Sequence, residues 1–266
     1  MQVLTLEDGW QCIYSRVDMP EHLTIQDKLI SLIKSYLREK GDRKMILVKP
    51  SFEIMEVMGV GISRYRPLQL IEQAGRTCYK SESSVDSSSA ENFIQMILKR
   101  GHESVIEHSA MTVKFIIDRG VSHELVRHRL CAFSQESTRY CNYKGGVTFV
   151  IPPWVELAEG EYFQESSNHT LILPQREWFC SLLEAEITYK LLLDAHWTPQ
   201  QARSILPNST KTEIVVTANF REWRHIFSLR CSKAAHPQMR EVMLPLREKC
   251  REVIPIIFDE EKETGR

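Results

Sequence analysis

Thr112-Val113-Lys114-Phe115-Ile116-Ile117-Asp118-Arg119-Gly120-Val121-Ser122-His123-Glu124-Leu125-Val126-Arg127-His128-Arg129 carries the chain from one kind of element to the other within a few residues. Thr112–Ile117 is rich in β-branched residues and reads as a strand. Asp118-Arg119-Gly120 reads as its turn, and Ser122 stands where a cap would start a helix over His123–Ala132. Strands and helices intermix in this way along the chain, but the spacing lacks the regularity of repeated strand–helix–strand units. The expected fold class is therefore α+β.

Downstream, Val147–Ile151 reads as a strand stopped by Pro152-Pro153. Trp178, Leu182, Ala185, Tyr189 and Leu192 share one side of a long amphipathic helix. Thr198-Pro199-Gln200-Gln201 combines a cap, a proline at the first helical position and a capping-box glutamine. It predicts a short helix carrying Ala202-Arg203 and ended by Pro207. Ile214-Val215-Val216-Thr217 reads as a buried strand. Asn219, with Glu222 three residues on, opens the next helix, and His236-Pro237 opens the last.

Upstream, Ala90–Arg100 is a helix closed by Gly101, and Phe52–Met58 is a strand. Residues 80–89, Lys-Ser-Glu-Ser-Ser-Val-Asp-Ser-Ser-Ser, are too polar to pack and read as a surface loop. Residues 1–44 read as an N-terminal extension to a domain spanning 45–266. In the extension Asp8-Gly9 suggests a hairpin turn. Ile25, Leu29, Leu32, Ile33, Tyr36 and Leu37 fall on one helix face, and a charged break precedes the strand Met45–Val48.

A chain of 266 residues with 42% hydrophobic and 26% charged residues is an ordinary globular composition. The formal net charge of −1 supplies no global field for nucleic acid or membrane. No apolar run approaches the roughly 18 residues of a membrane span, and Met1–Asp8 lacks the basic start and apolar core of a secretory signal. The 7 cysteines, without a C-x-x-C pair, fit a reducing compartment, so a cytoplasmic location is expected.

Charge is concentrated in two segments. One is His123–Arg129 followed by Ser134-Gln135-Glu136-Ser137-Thr138-Arg139-Tyr140. On a helix Glu124 and His128 would pair one turn apart, while Arg127 and Arg129 would point to nearly opposite sides and serve two anions. The polar run supplies hydroxyl, amide and guanidinium donors suited to phosphate and sugar oxygens. The other segment sets Arg221, Arg224, Arg230, Lys233 and Arg240 against the single acid Glu222 between residues 219 and 240. Arg221 falls in a first helical turn, where backbone donors already favour anions. A lone surface arginine is ordinarily a solvated ion pair worth about 0–1 kcal/mol. Two dense clusters in a near-neutral chain point instead to anionic ligands.

Other signals carry less. Gly59-Val60-Gly61 lacks the third glycine of a dinucleotide fingerprint. His102-Glu103-Ser104-Val105-Ile106-Glu107-His108 lacks zinc-protease spacing, and no metal site is expected. Nothing in sequence marks a base for Cys131, Cys141 or Cys231, which read as inert packing residues.

Arg127-His128-Arg129, the seven residues Leu130–Glu136 and then Ser137 resemble the signature of the flavin-dependent thymidylate synthases. The likeness continues through Ser-Gln-x-Ser-x-Arg-Tyr at 134–140. Gly101-His102-Glu103-Ser104 with Glu107-His108, Ala202-Arg203, Asn219-x-Arg221, Leu229-Arg230 and His236 follow in that family's order. The resemblance covers roughly Met45 to the C-terminus. It implies a single domain with a mixed or antiparallel sheet flanked by helices, and the methylation of dUMP to dTMP. Methylenetetrahydrofolate would be the carbon donor, tightly bound FAD the hydride carrier and NADPH the reductant, in a homotetramer with shared active sites. By the same resemblance Ser104, Arg127, His128, Arg129, Gln135, Asn219, Arg221 and His225 would contact FAD. Glu124, Leu125, Val126, Arg127, Gln135, Glu136, Ser137, Thr138, Arg139, Arg203 and Arg230 would hold the nucleotide. Arg230 matches the catalytic arginine that faces the uracil ring.

Three features depart from the family pattern: the first 44 residues, a longer stretch between Arg230 and His236, and His225 where some members carry asparagine. Two other readings stay open. A nucleic-acid-binding module would use the arginine clusters on backbone phosphates, and a flavoprotein could bind nucleotide without transferring a methyl group.

Overall fold

The computed structural model describes residues 2–5, 11–14, 44–59, 61, 66–81, 89–163 and 172–259. The expected turn at Asp8-Gly9, the helix over Ile25–Leu37 and most of the serine-rich loop lie outside these residues. Strands β1 (Gln2–Thr5) and β2 (Gln11–Tyr14) pair antiparallel in a two-stranded sheet, consistent with a hairpin.

The principal sheet has four strands. In the order of pairing these are β4 (Ser51–Val57), β5 (Ala110–Asp118), β9 (Lys211–Asn219) and β6 (Ala132–Gln135), all antiparallel to their neighbours. Along β5 and β9 burial alternates residue by residue. Met111, Val113, Phe115 and Ile117 pack on one face with Ile214, Val216 and Ala218. The run Ile214–Thr217, expected to be wholly buried, is therefore buried on one side, and Val215 and Thr217 are half-buried on the other. Antiparallel sheets commonly pack one face and leave the other wetter. On the outer face the Thr112 and Thr217 hydroxyls meet at 2.9 Å, and Lys114 pairs with Glu213.

Helices cover the packed face: α1 (Arg66–Tyr79), α2 (Ser89–Lys99), a short 3-10 helix (Glu103–His108), α3 (Arg119–Leu125), α6 (Phe220–Arg230), α7 (Pro237–Val253) and α8 (Pro255–Phe258). Gly101 at φ 72° turns the chain out of α2 without a Cβ penalty. A second core lies under a three-stranded sheet ordered β7 (Thr148–Val150), β3 (Lys44–Val48), β8 (Gly160–Phe163). There β3 runs parallel to β7 and antiparallel to β8, so the sheet is mixed. The long helix α4 (Leu173–Asp194) and the short α5 (Pro199–Ala202), with its capping box from Thr198 and Gln201, pack on it. Val150 N–H donates to Ser209 O at 2.9 Å and joins the two sheets. The result is an α+β fold. No helix among the described residues is long and apolar enough to cross a membrane.

One expectation is corrected. The helix expected over His123–Ala132 with a Ser122 cap is α3, Arg119–Leu125, and its cap is Asp118. The Asp118 carboxylate accepts Val121 N–H at 2.9 Å, whereas the Ser122 hydroxyl donates back to Arg119 O at 3.0 Å. Ser122 lies inside the helix, where its hydroxyl bonds back to the preceding turn and accepts from Gln135, so the capping acceptor is the carboxylate at the end of β5. The register of the helix thus moves four residues upstream, and Arg127–Ala132 leaves the helix to enter β6.

Candidate active site

The end of α3 and the end of α6 meet, and the side chains at that junction form the site. Asn219 starts α6 by accepting Glu222 N–H at 2.8 Å. Phe220, Trp223, Ile226 and Phe227 anchor the helix in the core, the Trp223 indole donating to Met111 O at 3.0 Å. This seating leaves Arg221, His225, Ser228 and Leu229 outward, with Arg230 in the last turn, where a cation is favoured by the helix dipole.

Arg230 is held on three sides. Its Nη1 donates to Glu124 Oε2 at 2.9 Å, Nη2 to Glu124 O at 2.9 Å, and Nε to His128 Nε2 at 3.0 Å. Three of the guanidinium's five N–H groups are thereby used, and two remain for a ligand. Glu124 thus pairs with Arg230 and not with His128 as a continuous helix would have required. Past Leu125 the chain turns, with Val126 and Arg127 N–H bonded back to Ser122 and Glu124.

The same turn buries His128 while Arg127 and Arg129 on either side stay exposed. Neither arginine's side chain has an ion pair or hydrogen bond among the described residues, so both are open to an anion. Burial, the Arg230 guanidinium and His225 hold the His128 imidazole down to about 4, so it is neutral at physiological pH. Because Nε2 accepts from Arg230, the proton sits on Nδ1, which faces Glu222 Oε1 at 3.4 Å. His225, one helical turn beyond Glu222, stacks edge-on against His128 with ring centroids 5.9 Å apart.

His128, Glu222 and His225 offer ligand atoms within 4.8 Å of one another, a cluster that metal spacings in sequence do not reveal. The Arg230 guanidinium 3.0 Å from Nε2 opposes a cation there. The Cys131 thiol is pushed up to about 12 by burial and by Glu222, so it is protonated and unreactive.

The remaining expected residues are distributed around this junction. Arg221, on the first turn of α6, pairs with Glu107 at 2.5 Å and Glu103 at 3.7 Å, both on the 3-10 helix that carries exposed Ser104. Arg221 and Arg230 stand about 13 Å apart along the helix axis. Gln135 on β6 donates to Ser122 Oγ at 2.9 Å and Thr212 Oγ1 at 3.2 Å. Glu136 is engaged within the sheet, accepting from Tyr143 Oη at 2.7 Å, Lys211 Nζ at 3.1 Å and Glu213 N at 3.2 Å. Ser137 Oγ accepts Arg139 N–H at 3.3 Å. Among the described residues no base contacts that hydroxyl. Thr138 is buried and accepts from Arg203 Nη1 at 3.3 Å. Leu125 lies in the core with none of its surface exposed, and its carbonyl accepts His128 N–H at 3.2 Å. Arg139 lies over the Tyr140 ring at 5.4 Å. His236 caps α7, accepting from Gln238 N–H, and its ring meets Trp154 at 5.9 Å.

One chain therefore forms three groupings: Arg230–Glu124–His128–Glu222–His225, Arg221–Glu103–Glu107, and Arg203–Thr138 beside Ser137 and Arg139. Glu103 and Glu107 had no site role in the sequence reading, and neither had Glu222. The signal available was its spacing of three from His225, which puts the two on one side of a helix.

Residues 62–256 match the family model described as thymidylate synthase complementing protein. The chain is 33% identical over 201 residues to a flavin-dependent thymidylate synthase of Geobacter sulfurreducens, covering 72% of this chain and 81% of that one. It is also 33% identical over 200 residues to the protein of that name from Mycobacterium tuberculosis, covering 71% and 77%. In fold it is similar to the UMP/dUMP methylase PolB of Streptomyces cacaoi solved with 5-Br dUMP. The TM-score is 0.63 at 24% identity, over 80% of this chain and 95% of that chain. The chain belongs to the family of flavin-dependent thymidylate synthases.

Proposed function

We propose that this protein methylates dUMP to dTMP, with methylenetetrahydrofolate as carbon donor, FAD as hydride carrier and NADPH as reductant. The observation that carries the reading is Arg230. It is a cation fixed by Glu124 and His128, with two N–H donors left for a ligand. Uracil accepts hydride at C6 only if the charge arriving on the ring is offset. A guanidinium, which stays protonated at any working pH, is suited to the N3–C4 side of that ring.

Exposed Arg127 and Arg129, whose side chains have no partner among the described residues, fit the pyrophosphate of a dinucleotide. With Ser104, His128, Gln135, Asn219, Arg221 and His225 they form the proposed FAD-binding set. When bound, the flavin supplies hydride chemistry that no side chain can perform. Glu124, Leu125, Val126, Arg127, Gln135, Glu136, Ser137, Thr138, Arg139, Arg203 and Arg230 form the proposed nucleotide set. Arg203 and Arg139 bring charge for a phosphate, and Ser137 acts as a binding hydroxyl.

The active form is proposed to be a homotetramer whose sites are completed by neighbouring copies. Exposed Leu130 and Tyr140, with 77% and 78% of their surface open beside site residues, support that assembly. Residues 45–266 would carry the reaction and residues 1–44 an added packing or subunit-contact element. The free thiols of Cys78, Cys131, Cys141, Cys180, Cys231 and Cys250 suit a cytoplasmic setting.

The test is the visible absorption of the purified protein. A flavin spectrum is expected, bleached by NADPH and recovered only when both dUMP and methylenetetrahydrofolate are added. A colourless protein that binds nucleic acid with a steep salt dependence would overturn the proposal.

A further inference from the structure

We propose that Glu222 is a positioning residue for Arg230 and acts through His128. Its carboxylate holds the imidazole in the Nδ1–H tautomer, and the bare Nε2 then accepts Arg230 Nε–H and sets the guanidinium plane. The proposal rests on Arg230 being the group that faces the substrate.

The geometry is a relay of three side chains. Glu222 Oε1 lies 3.4 Å from His128 Nδ1, and His128 Nε2 lies 3.0 Å from Arg230 Nε. Both Glu222 and His128 are buried, with side chains 8% and 4% exposed, so water is a poor substitute for either partner. A neutral imidazole has two tautomers, and the choice falls to whatever its other nitrogen meets. With the proton on Nε2, two N–H groups would face each other at 3.0 Å, and the guanidinium would have to turn away. An acceptor at Nδ1 removes that alternative. Glu222 is itself well fixed, because the N-cap bond from its N–H to Asn219 places it in the first turn of α6.

The groups facing Glu222 are His128 and Cys131 from the segment after α3, and His225 from its own helix. Arg230 lies beyond His128. Among the described residues His128 is the one of these that links the carboxylate to the substrate-facing cation, through contacts of 3.4 Å and 3.0 Å.

The experiment compares wild type with Glu222→Gln, which keeps an acceptor oxygen, and Glu222→Leu, which removes it at similar size. Imidazole 15N shifts of histidine-labelled protein give the tautomer, with the His128 resonance identified by its loss in His128→Gln. Wild type and Glu222→Gln are expected to show His128 protonated on Nδ1, and Glu222→Leu to show a mixture. Turnover in Glu222→Leu is expected to fall roughly tenfold, within the range seen when the outer partner of a functional histidine is removed. KM for dUMP should change little, and Glu222→Gln should restore turnover. A simple packing lesion would instead lower melting temperature and flavin content in step with activity.

Wild-type His128 protonated on Nε2 would overturn the proposal without any variant. So would a folded Glu222→Leu with a pure Nδ1–H tautomer and unchanged turnover. Should wild type make no dTMP at all, the proposed reaction fails, while the tautomer comparison still decides the role of Glu222.

Discussion

Arg230 and His128 share one hydrogen bond yet make separable predictions. Arg230→Ala removes the fixed cation and leaves Arg127, Arg129 and Arg221 for the flavin. Turnover is expected to fall roughly 10²–10³-fold, the range for losing one oxyanion-type donor, with flavin content retained. Steady-state kinetics beside the absorbance spectrum measures both, and near-normal turnover would remove Arg230 from the chemistry. For His128 the folded protein holds the imidazole near 4, below its ordinary 6.5. As pH falls through 6.5 the unfolded chain binds a proton that the folded protein refuses. This contribution to stability is therefore complete above 6.5 and is lost progressively down to about 4, approaching about 3 kcal/mol. Urea melts across that range should show wild type losing more stability than His128→Gln; parallel curves would contradict the assignment. Arg127-His128-Arg129 was legible as an anion-binding signature from the chain alone. That its central residue is buried and neutral between two exposed cations was not, because only packing distinguishes them.

Among the elements, caps and stops were legible wherever the deciding contact is local. Asn219, His236 and Thr198–Gln201 start helices where their spacing predicted, since a cap bond spans only two or three residues. The misplaced start of α3 has the same origin: Asp118 and Ser122 are both able caps, and the choice depended on where β5 ends. Helix-to-helix approach is another matter. At Gly75 on α1, an added Cβ would come within 2.5 Å of the Phe93 ring on α2 and 3.0 Å of Val105. Alanine ordinarily stabilises a helix interior by up to about 1 kcal/mol relative to glycine. Here overpacking should reverse the sign, so Gly75→Ala is expected to destabilise by about 1–3 kcal/mol. A rise in melting temperature would show that the two helices separate freely.

For the molecule as a whole, one chain keeps Arg203 with Thr138 and Arg230 with His128 and Glu124, as separate groupings. If a nucleotide is gripped by both, a neighbouring copy is the economical source of the second half. Arg203→Ala and Arg230→Ala should each be nearly inactive alone. Mixed, unfolded together and refolded, they should recover part of the wild-type rate, because some hybrid sites receive both intact arginines. No recovery in a demonstrably mixed oligomer would place the complete site within one chain.

The amino-acid order alone determined the α+β class, the helix starts near Ala90 and at Thr198, Asn219 and His236, and the arginine-rich signature. Each of these depends on residues within a few positions of one another. Tertiary structure alone decided that Glu124 serves Arg230, that Glu222 stands behind His128, and that β3 joins β7 and β8 in a second sheet. Those contacts join segments far apart in sequence, and the geometry of the Glu124 and Glu222 contacts follows from how α6 seats on the principal sheet. That seating is a sum over Phe220, Trp223, Ile226 and Phe227 in the core, which no local pattern encodes.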